Sequence, residues 1–140
     1  MTETILQKNI YLKATPAQAW DYLTEPDKLG IWFHKPKAPL IEGKPYEMFG
    51  TESGDLLMWG NVVKATPYDY LEYTFTIKPM GDTTSTVKWR ITEVPGGVRL
   101  SLEHSGLPQG AEAYGLALAL DKGWEDHMAR MRADLHDPTA

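Results

Sequence analysis

Of the side chains in this sequence that can exchange a proton near neutral pH, His104 is the best placed to do chemistry. It closes a run in which Val98, Leu100, Leu102 and His104 fall on one face and Arg99, Ser101 and Glu103 on the other. Desolvation drives an imidazole on an apolar face toward its neutral form. Such a ring suits a polar contact for a bound ligand, or a base with a shifted pKa. The plainer expectation is a core histidine hydrogen-bonded to a neighbouring loop, because buried polar groups are normally satisfied. His127 stands three residues after Trp124, about 60° around a helix from it. That places it on a helix flank, from which the two imidazoles could meet only across a cavity.

The other candidates fall short of a catalytic set. Glu103 and His104 face opposite sides of one strand and cannot chelate one ion together, while His34 and His136 lie far away in a loop and at a helix end. A metal site needs three or more converging ligands, so no metal is expected. Ser105 beside His104 is not a dyad, since adjacent strand residues point apart. There is no Gly-x-Ser-x-Gly elbow, no phosphate-binding loop, no dinucleotide glycine pattern and no His-Glu-x-x-His. No catalytic residue and no cofactor are assigned, and the balance leans away from an enzyme.

These side chains need elements to hold them, and the longest lies at the end of the chain. From Ala111 to about His136, the residues Ala113, Ala117, Leu120, Trp124, Met128, Met131 and Leu135 recur every three or four positions as one narrow stripe. A helix of about 25 residues is roughly 37 Å long, and it buries such a stripe only by lying along a sheet. Gly123, in mid-helix, costs about 1 kcal/mol relative to alanine, which predicts close packing against neighbouring helices or a bend.

The rest of the chain supplies that sheet. Ile5 to Ala14 reads as a first strand. Thr15-Pro16-Ala17-Gln18 starts a short helix carrying Trp20 and Leu23, with Thr15 as cap, Pro16 at the first helical position and Gln18 closing a capping box. Glu25-Pro26-Asp27 starts a second short helix carrying Leu29, with Trp32 and Phe33 just after it. Lys35 to Gly43 is a proline-rich loop. Strands follow at Pro45 to Phe49, Leu56 to Ala65, Tyr70 to Lys78, Thr84 to Val94 and Val98 to His104. Turns separate them at Gly50 to Asp55, Thr66-Pro67, Pro79 to Thr83 and Pro95-Gly96-Gly97. Alternation of apolar and polar residues makes the sheet antiparallel with one wet face, on which Lys88, Arg90, Arg99 and Glu103 form solvated pairs. The fold class is α+β: a curved antiparallel sheet of about six strands around a long C-terminal helix, with two short helices after the first strand.

Composition narrows the partners. The 140 residues read as one domain, 1–140, with 42% hydrophobic and 24% charged residues, which excludes wholesale disorder. A net charge of −5, with Lys and Arg scattered apart from Lys35 and Lys37, argues against nucleic acid. The absence of cysteine excludes disulfides and thiolate chemistry. No basic start with an apolar run marks a signal peptide, and no stretch approaches the roughly 18 apolar residues of a membrane span. A cytoplasmic protein with no membrane partner is expected, and a homodimer stays open.

In this order of elements the chain resembles the START-like (SRPBCC, helix-grip) superfamily, which includes the birch pollen allergen. Within it the chain is similar to the branch named after the activator of the ninety-kilodalton heat-shock protein ATPase. The residues that carry the likeness are Ala14-Thr15-Pro16-Ala17 with Trp20, Leu23 to Leu29 leading to Trp32-Phe33, Gly60-Asn61-Val62-Val63, and Pro67 to Leu71 with Tyr73-Thr74. Ser85-Thr86-Val87, Leu100 to Gly106 and Gly123-Trp124 complete the set, which covers almost the whole chain. Met128 and Met131 stand where the family usually has leucines, and Phe75 replaces a frequent tryptophan, so a differently shaped cavity is expected. The resemblance implies hydrophobic-ligand binding. It also brings relatives that are cyclases and a namesake that assists a chaperone.

The expected function is therefore binding of an apolar or aromatic small molecule in a cavity between sheet and terminal helix. Its expected lining is Trp32, Tyr46, Met48, Tyr73, Phe75, Trp89, His104, Tyr114, Trp124 and Met128. A cyclase or hydrolase using His104 with a cavity tyrosine is one alternative. A co-chaperone or stress-response module is another, by family analogy only. It stands behind the others because the extra N-terminal domain that the resemblance associates with the true co-chaperone is not found in this sequence.

Overall fold

A computed structural model describes residues 4–81, 83–108 and 110–136. Strand β1 (Leu6–Leu12) leads into helices α1 (Pro16–Thr24) and α2 (Pro26–Trp32). Strands β2 (Lys35–Pro36), β3 (Pro45–Phe49), β4 (Leu56–Thr66), β5 (Tyr70–Phe75), β6 (Ser85–Val94) and β7 (Gly97–Ser105) follow, and helix α3 (Tyr114–His136) is the last described element. Seven strands form one open antiparallel sheet in the order β1-β7-β6-β5-β4-β3-β2. From β3 onward the strands are consecutive neighbours, and β1 adds to the far edge beside β7. Among the described residues no helix is long and apolar enough to cross a membrane.

Local chemistry sets most of these boundaries. Thr15 Oγ1 accepts from the Gln18 amide at 3.1 Å and Gln18 Oε1 accepts from the Thr15 amide at 2.8 Å, which is the capping box the sequence predicts. The hairpin turn predicted at Pro95-Gly96-Gly97 forms with a loop of only Pro95 and Gly96: Gly97 already pairs with Val94, and Gly96 takes φ 89°, a conformation that suits glycine. Most strand boundaries shift by only one or two residues, and two parts of the sheet differ more. The segment predicted as loop from Lys35 to Gly43 contributes Lys35 and Pro36 as a seventh strand, paired with Phe49 and Met48. Proline is tolerated there because β2 is an edge strand and owes no amide to a further neighbour. Strand β5 ends at Phe75 rather than Lys78, because Lys78–Met80 coils into a 3₁₀ turn around Pro79. The turn predicted from Pro79 to Thr83 includes Asp82, and the predicted signal-free start includes Met1 to Glu3. Those positions lie outside the described residues.

Irregularities bend the sheet. Register shifts fall between Met48 and Phe49 and between Val62 and Lys64, and such bulges add twist and curvature. Between them sits Gly60, where an added Cβ would come within 2.2 Å of the Thr74 carbonyl oxygen. Its cross-strand partner is Tyr46, whose hydroxyl donates to that same carbonyl. A side chain at position 60 would therefore collide with the acceptor that anchors Tyr46.

Helix α3 has 23 residues, and a short 3₁₀ turn at Ala111–Ala113 precedes it, so the α-helix proper starts later than the apolar stripe suggests. It buries Ala117, Trp124, Met128 and Met131, with Leu116, Leu120 and Leu135 partly covered. Polar ties join it to the elements below. Lys8 on β1 meets Asp121 at 2.9 Å and Glu125 at 3.7 Å, the Tyr22 hydroxyl of α1 donates to Asp134, and the Lys13 amide donates to His136 Nε2 at 2.8 Å.

Close packing does not explain Gly123, since a Cβ built there meets nothing within 4 Å. The helix carries the conformational cost of glycine with no steric return. Gly123→Ala is expected to raise stability by about 0.5–1 kcal/mol, read as a shifted midpoint in urea unfolding with an unchanged slope. A lower midpoint would show that the helix needs glycine at this position.

Candidate functional site

The register of β5, β6 and β7 assembles the site. Phe75 pairs with Ser85, and Val87 pairs with His104, so Ser85 lies diagonally across from His104 on the same inner face. Trp89 stands one inward step further along β6, opposite Leu102. From above, α3 lowers Trp124 into this surface until only 2% of it is exposed.

The Trp124 ring then touches almost everything around it. Its centroid lies 5.2 Å from Phe33, 5.5 Å from Trp89, 6.0 Å from Phe75 and 5.9 Å from His104. Phe33 stacks on Trp32 at 5.1 Å, and Trp32 meets Trp89 edge-on at 5.9 Å, which closes the cluster on the α2 side. Edge-to-face and offset contacts of this kind add to the stabilisation that burial alone provides.

One hydrogen-bonded thread runs through the cluster, and its direction can be worked out. The Trp124 indole N–H donates to His104 Nδ1 at 3.0 Å. An indole nitrogen only donates, so Nδ1 is the lone-pair nitrogen and the ring proton sits on Nε2. Nε2 therefore donates to Ser85 Oγ at 2.8 Å, and the Ser85 hydroxyl donates to the Phe75 carbonyl at 2.8 Å. His104 is 0% exposed, and burial pushes its pKa down to about 4. Both ring nitrogens are engaged within the protein. The partners are a helix tryptophan and a strand serine, not the neighbouring loop that the sequence suggests.

The tryptophan and tyrosine polar groups beside this thread are also paired. Trp89 Nε1 donates to the Tyr73 hydroxyl at 3.0 Å, and Trp32 Nε1 donates to the Tyr22 carbonyl at 2.8 Å. Tyr46 and Tyr73 lie edge-on at 5.4 Å, and burial raises both phenols above their ordinary range, so both stay protonated.

Of the ten residues expected to line a cavity, Trp32, Phe75, Trp89, His104 and Trp124 meet in this one cluster. Tyr46 and Tyr73 form an adjoining pair, and Met48 and Met128 are buried beside them in the same core. Tyr114 stands apart, 60% exposed at the start of α3. The rings of Trp32, Phe75, Trp89, His104 and Trp124 pack directly on one another. A surface cleft of about 1040 Å³ lies elsewhere, between the two short helices and the β2–β3 edge, among Asp21, Glu25, Lys35, Lys37 and Phe49. His127 does not meet His104. Its Nδ1 is instead 3.0 Å from the Trp32 carbonyl, on the helix flank. Sequence reasoning missed Phe33, Met58, Met131 and Ser85 as site residues. Ser85 was within reach: the alternation that places Val87, Trp89 and Ile91 inward also places Ser85 inward, one step earlier.

The lowered pKa of His104 has a definite sign in stability. The unfolded chain takes up a proton on this imidazole below about pH 6.5 while the folded chain does not, so folding weakens as pH falls toward about 4. The expected loss from His104 across that window is on the order of 3 kcal/mol. His104→Gln keeps a donor and an acceptor but does not titrate, and should flatten this part of the pH profile in urea unfolding. Identical profiles for the two proteins would refute the assignment.

Comparison with known proteins agrees with this architecture. Residues 13–136 match the family model described as Activator of Hsp90 ATPase homolog 1-like protein. Among solved structures, protein MLL2253 from Mesorhizobium loti is similar with a TM-score of 0.79 and 24% identity, over 96% of this chain and 99% of that one. The Aha1 dimer from Colwellia psychrerythraea is similar with a TM-score of 0.79 and 15% identity, over 98% and 99% of the two chains. DynU16, a putative protein in the dynemicin biosynthetic locus, is similar with a TM-score of 0.78 and 22% identity over 94% of this chain, which spans 46% of that longer one. At these identities the likeness speaks for the fold. No curated protein matches the chain. With the family model covering nearly the whole sequence, the chain belongs to the Activator of Hsp90 ATPase homolog 1-like family.

Proposed function

We propose that this protein binds an apolar or aromatic small molecule between its sheet and α3, against Trp32, Phe75, Trp89, His104, Trp124 and Met128. The observation that carries this reading is the concentration of aromatic rings and thioethers at one place, with a single polar thread running through it. Met48, Met58, Met128 and Met131 are all buried there, and methionine repacks around irregular shapes at low cost. Room for the ligand comes from Trp124 and the α3 methionines yielding, while the strand-borne Trp89 and Tyr73 stay pinned by their mutual hydrogen bond. The biosynthetic-locus neighbour supports a role with small organic molecules.

Binding is favoured over acid–base catalysis by the state of His104. Its Nδ1 lone pair and Nε2 proton are both taken by protein partners, which leaves neither for a substrate. A homodimer is part of the proposal, supported by the Colwellia relative being described as a dimer. A cytoplasmic location fits the cysteine-free composition.

The test is native mass spectrometry of the freshly purified chain, together with displacement of an environment-sensitive dye followed by tryptophan emission. A co-purified organic molecule, or saturable dye uptake that quenches Trp89 and Trp124 and reverses with an apolar competitor, is expected. Protein that carries no molecule and takes up no dye would overturn the proposal.

A further inference from the structure

On the flank of α3, just outside the aromatic cluster, lies a group of basic side chains that the interior site does not use. His127 is edge-on to Phe33 at 4.9 Å and to His34 at 5.3 Å, and His34 itself stacks on Phe33 at 4.4 Å. The Trp32 carbonyl, 3.0 Å from His127 Nδ1, can only accept, and the Arg130 guanidinium packed against the same nitrogen can only donate. One nitrogen of a neutral ring serves one of these partners at a time, so either the carbonyl or the guanidinium is left to another partner. Asp134, one turn beyond Arg130, is taken by the Tyr22 hydroxyl. Lys8, Lys35, Lys88, Arg90 and Lys122 each have a carboxylate partner. Among the described residues no such ion pair reaches Arg130, His127 or His34. In a chain of net charge −5, Arg130 is a permanent cation without a carboxylate partner among the described residues, set beside two imidazoles.

We infer that Arg130, His127 and His34 form a binding site for a small oxyanion, a carboxylate or a phosphate, with Phe33 as its apolar floor. A guanidinium presents its donors in a fork that matches two oxygens of such an anion. An oxyanion between Arg130 and the imidazoles gives the guanidinium an acceptor. A metal cation fits worse, because the permanent charge of Arg130 sits against the nitrogen it would need.

The charged and titratable groups acting on His127 are His34, Arg130 and Asp126, and Arg130 also acts on His34. Asp126 is exposed and paired with Lys122 at 3.3 Å. Burial pushes His127 down to about 4 and lowers His34, so both rings are neutral at pH 7. A bound anion favours their charged forms. Binding therefore takes up protons and tightens as pH falls, by up to about tenfold per pH unit for each proton gained. The site does not require the interior to open.

The experiment is an NMR titration of the full chain with inorganic phosphate, and separately with benzoate, following the His34 and His127 ring resonances at about pH 6 and about pH 7.5. Saturable shifts at both rings, tighter at the lower pH, are expected. Arg130→Gln should weaken binding at least about tenfold, while Arg132→Gln on the same helix should leave it unchanged. Tighter binding of phosphate points to a simple oxyanion, and tighter binding of benzoate to an organic acid whose ring rests on Phe33. Either result supports the site. The absence of saturable shifts with both probes, or an equal loss in the two arginine variants, would overturn it.

Discussion

The hydrogen bond from the Trp124 indole to His104 Nδ1 fixes how α3 sits on the sheet. Burial of an apolar stripe is non-directional: it pulls a helix onto a surface and leaves its rotation and axial position loosely set. For a side chain the size of tryptophan that pull is worth about 5 kcal/mol, whereas one hydrogen bond is worth about 1 kcal/mol net. The attraction is thus hydrophobic and the positioning is polar. A small rotation of α3 would keep most of the buried area. It would also leave a buried indole N–H and a buried imidazole nitrogen unpaired, and that cost discriminates between placements. Because the indole can only donate, its choice of partner propagates through the His104 tautomer to Ser85 and ends on the Phe75 carbonyl, tying α3 to β7, β6 and β5.

The same constraint separates a rigid side of the core from an adaptable one. On the sheet, Trp89 and Tyr73 hold each other by a hydrogen bond, and Tyr46 is anchored on Thr74 over the space that Gly60 leaves open. On the helix, the buried neighbours of Trp124 are Met128 and Met131, which have no directional partner and many rotamers. Any guest admitted to the core meets a fixed aromatic wall and a compliant opposite wall. The polar thread then sets a threshold, because displacing Trp124 breaks a bond that the guest must replace or forgo.

Much of the fold was legible because it is encoded locally. The Thr15 and Gln18 box, the Pro95-Gly96 turn and the two-residue periodicity of β5, β6 and β7 each need only a few neighbouring residues. Features that depend on distant chain were not legible. Two residues, one of them proline, carry no strand signal in Lys35–Pro36, and only the free edge of β3 makes them a strand. Close packing, one of the two reasons the sequence offers for Gly123, is not found, because a helical wheel shows direction and not the distance to the next element. Tyr114 is expected in the lining, yet at the start of α3 it is 60% exposed. The partners of His104 come from β6 and α3, and a single strand pattern cannot announce either.

Helical geometry also explains why α3 takes part in two histidine chemistries, one with His104 of β7 and one with its own His127. Positions three apart on a helix step back by about 60°, so Trp124, His127 and Arg130 sweep from the core through the half-buried flank to solvent. Along that sweep each residue type matches the solvation at its depth: an indole where water is excluded, an imidazole at the boundary, a guanidinium outside. His104 and His127 are both held neutral by burial, but their surroundings differ. Around His104 every donor has an acceptor, so the ring is finished as a structural joint. Around His127 one nitrogen is approached by both a carbonyl and an exposed guanidinium, and it serves only one of them at a time. A committed against a contested hydrogen bond, more than residue type or burial, divides the part of this helix that builds the fold from the part free to recognise something else.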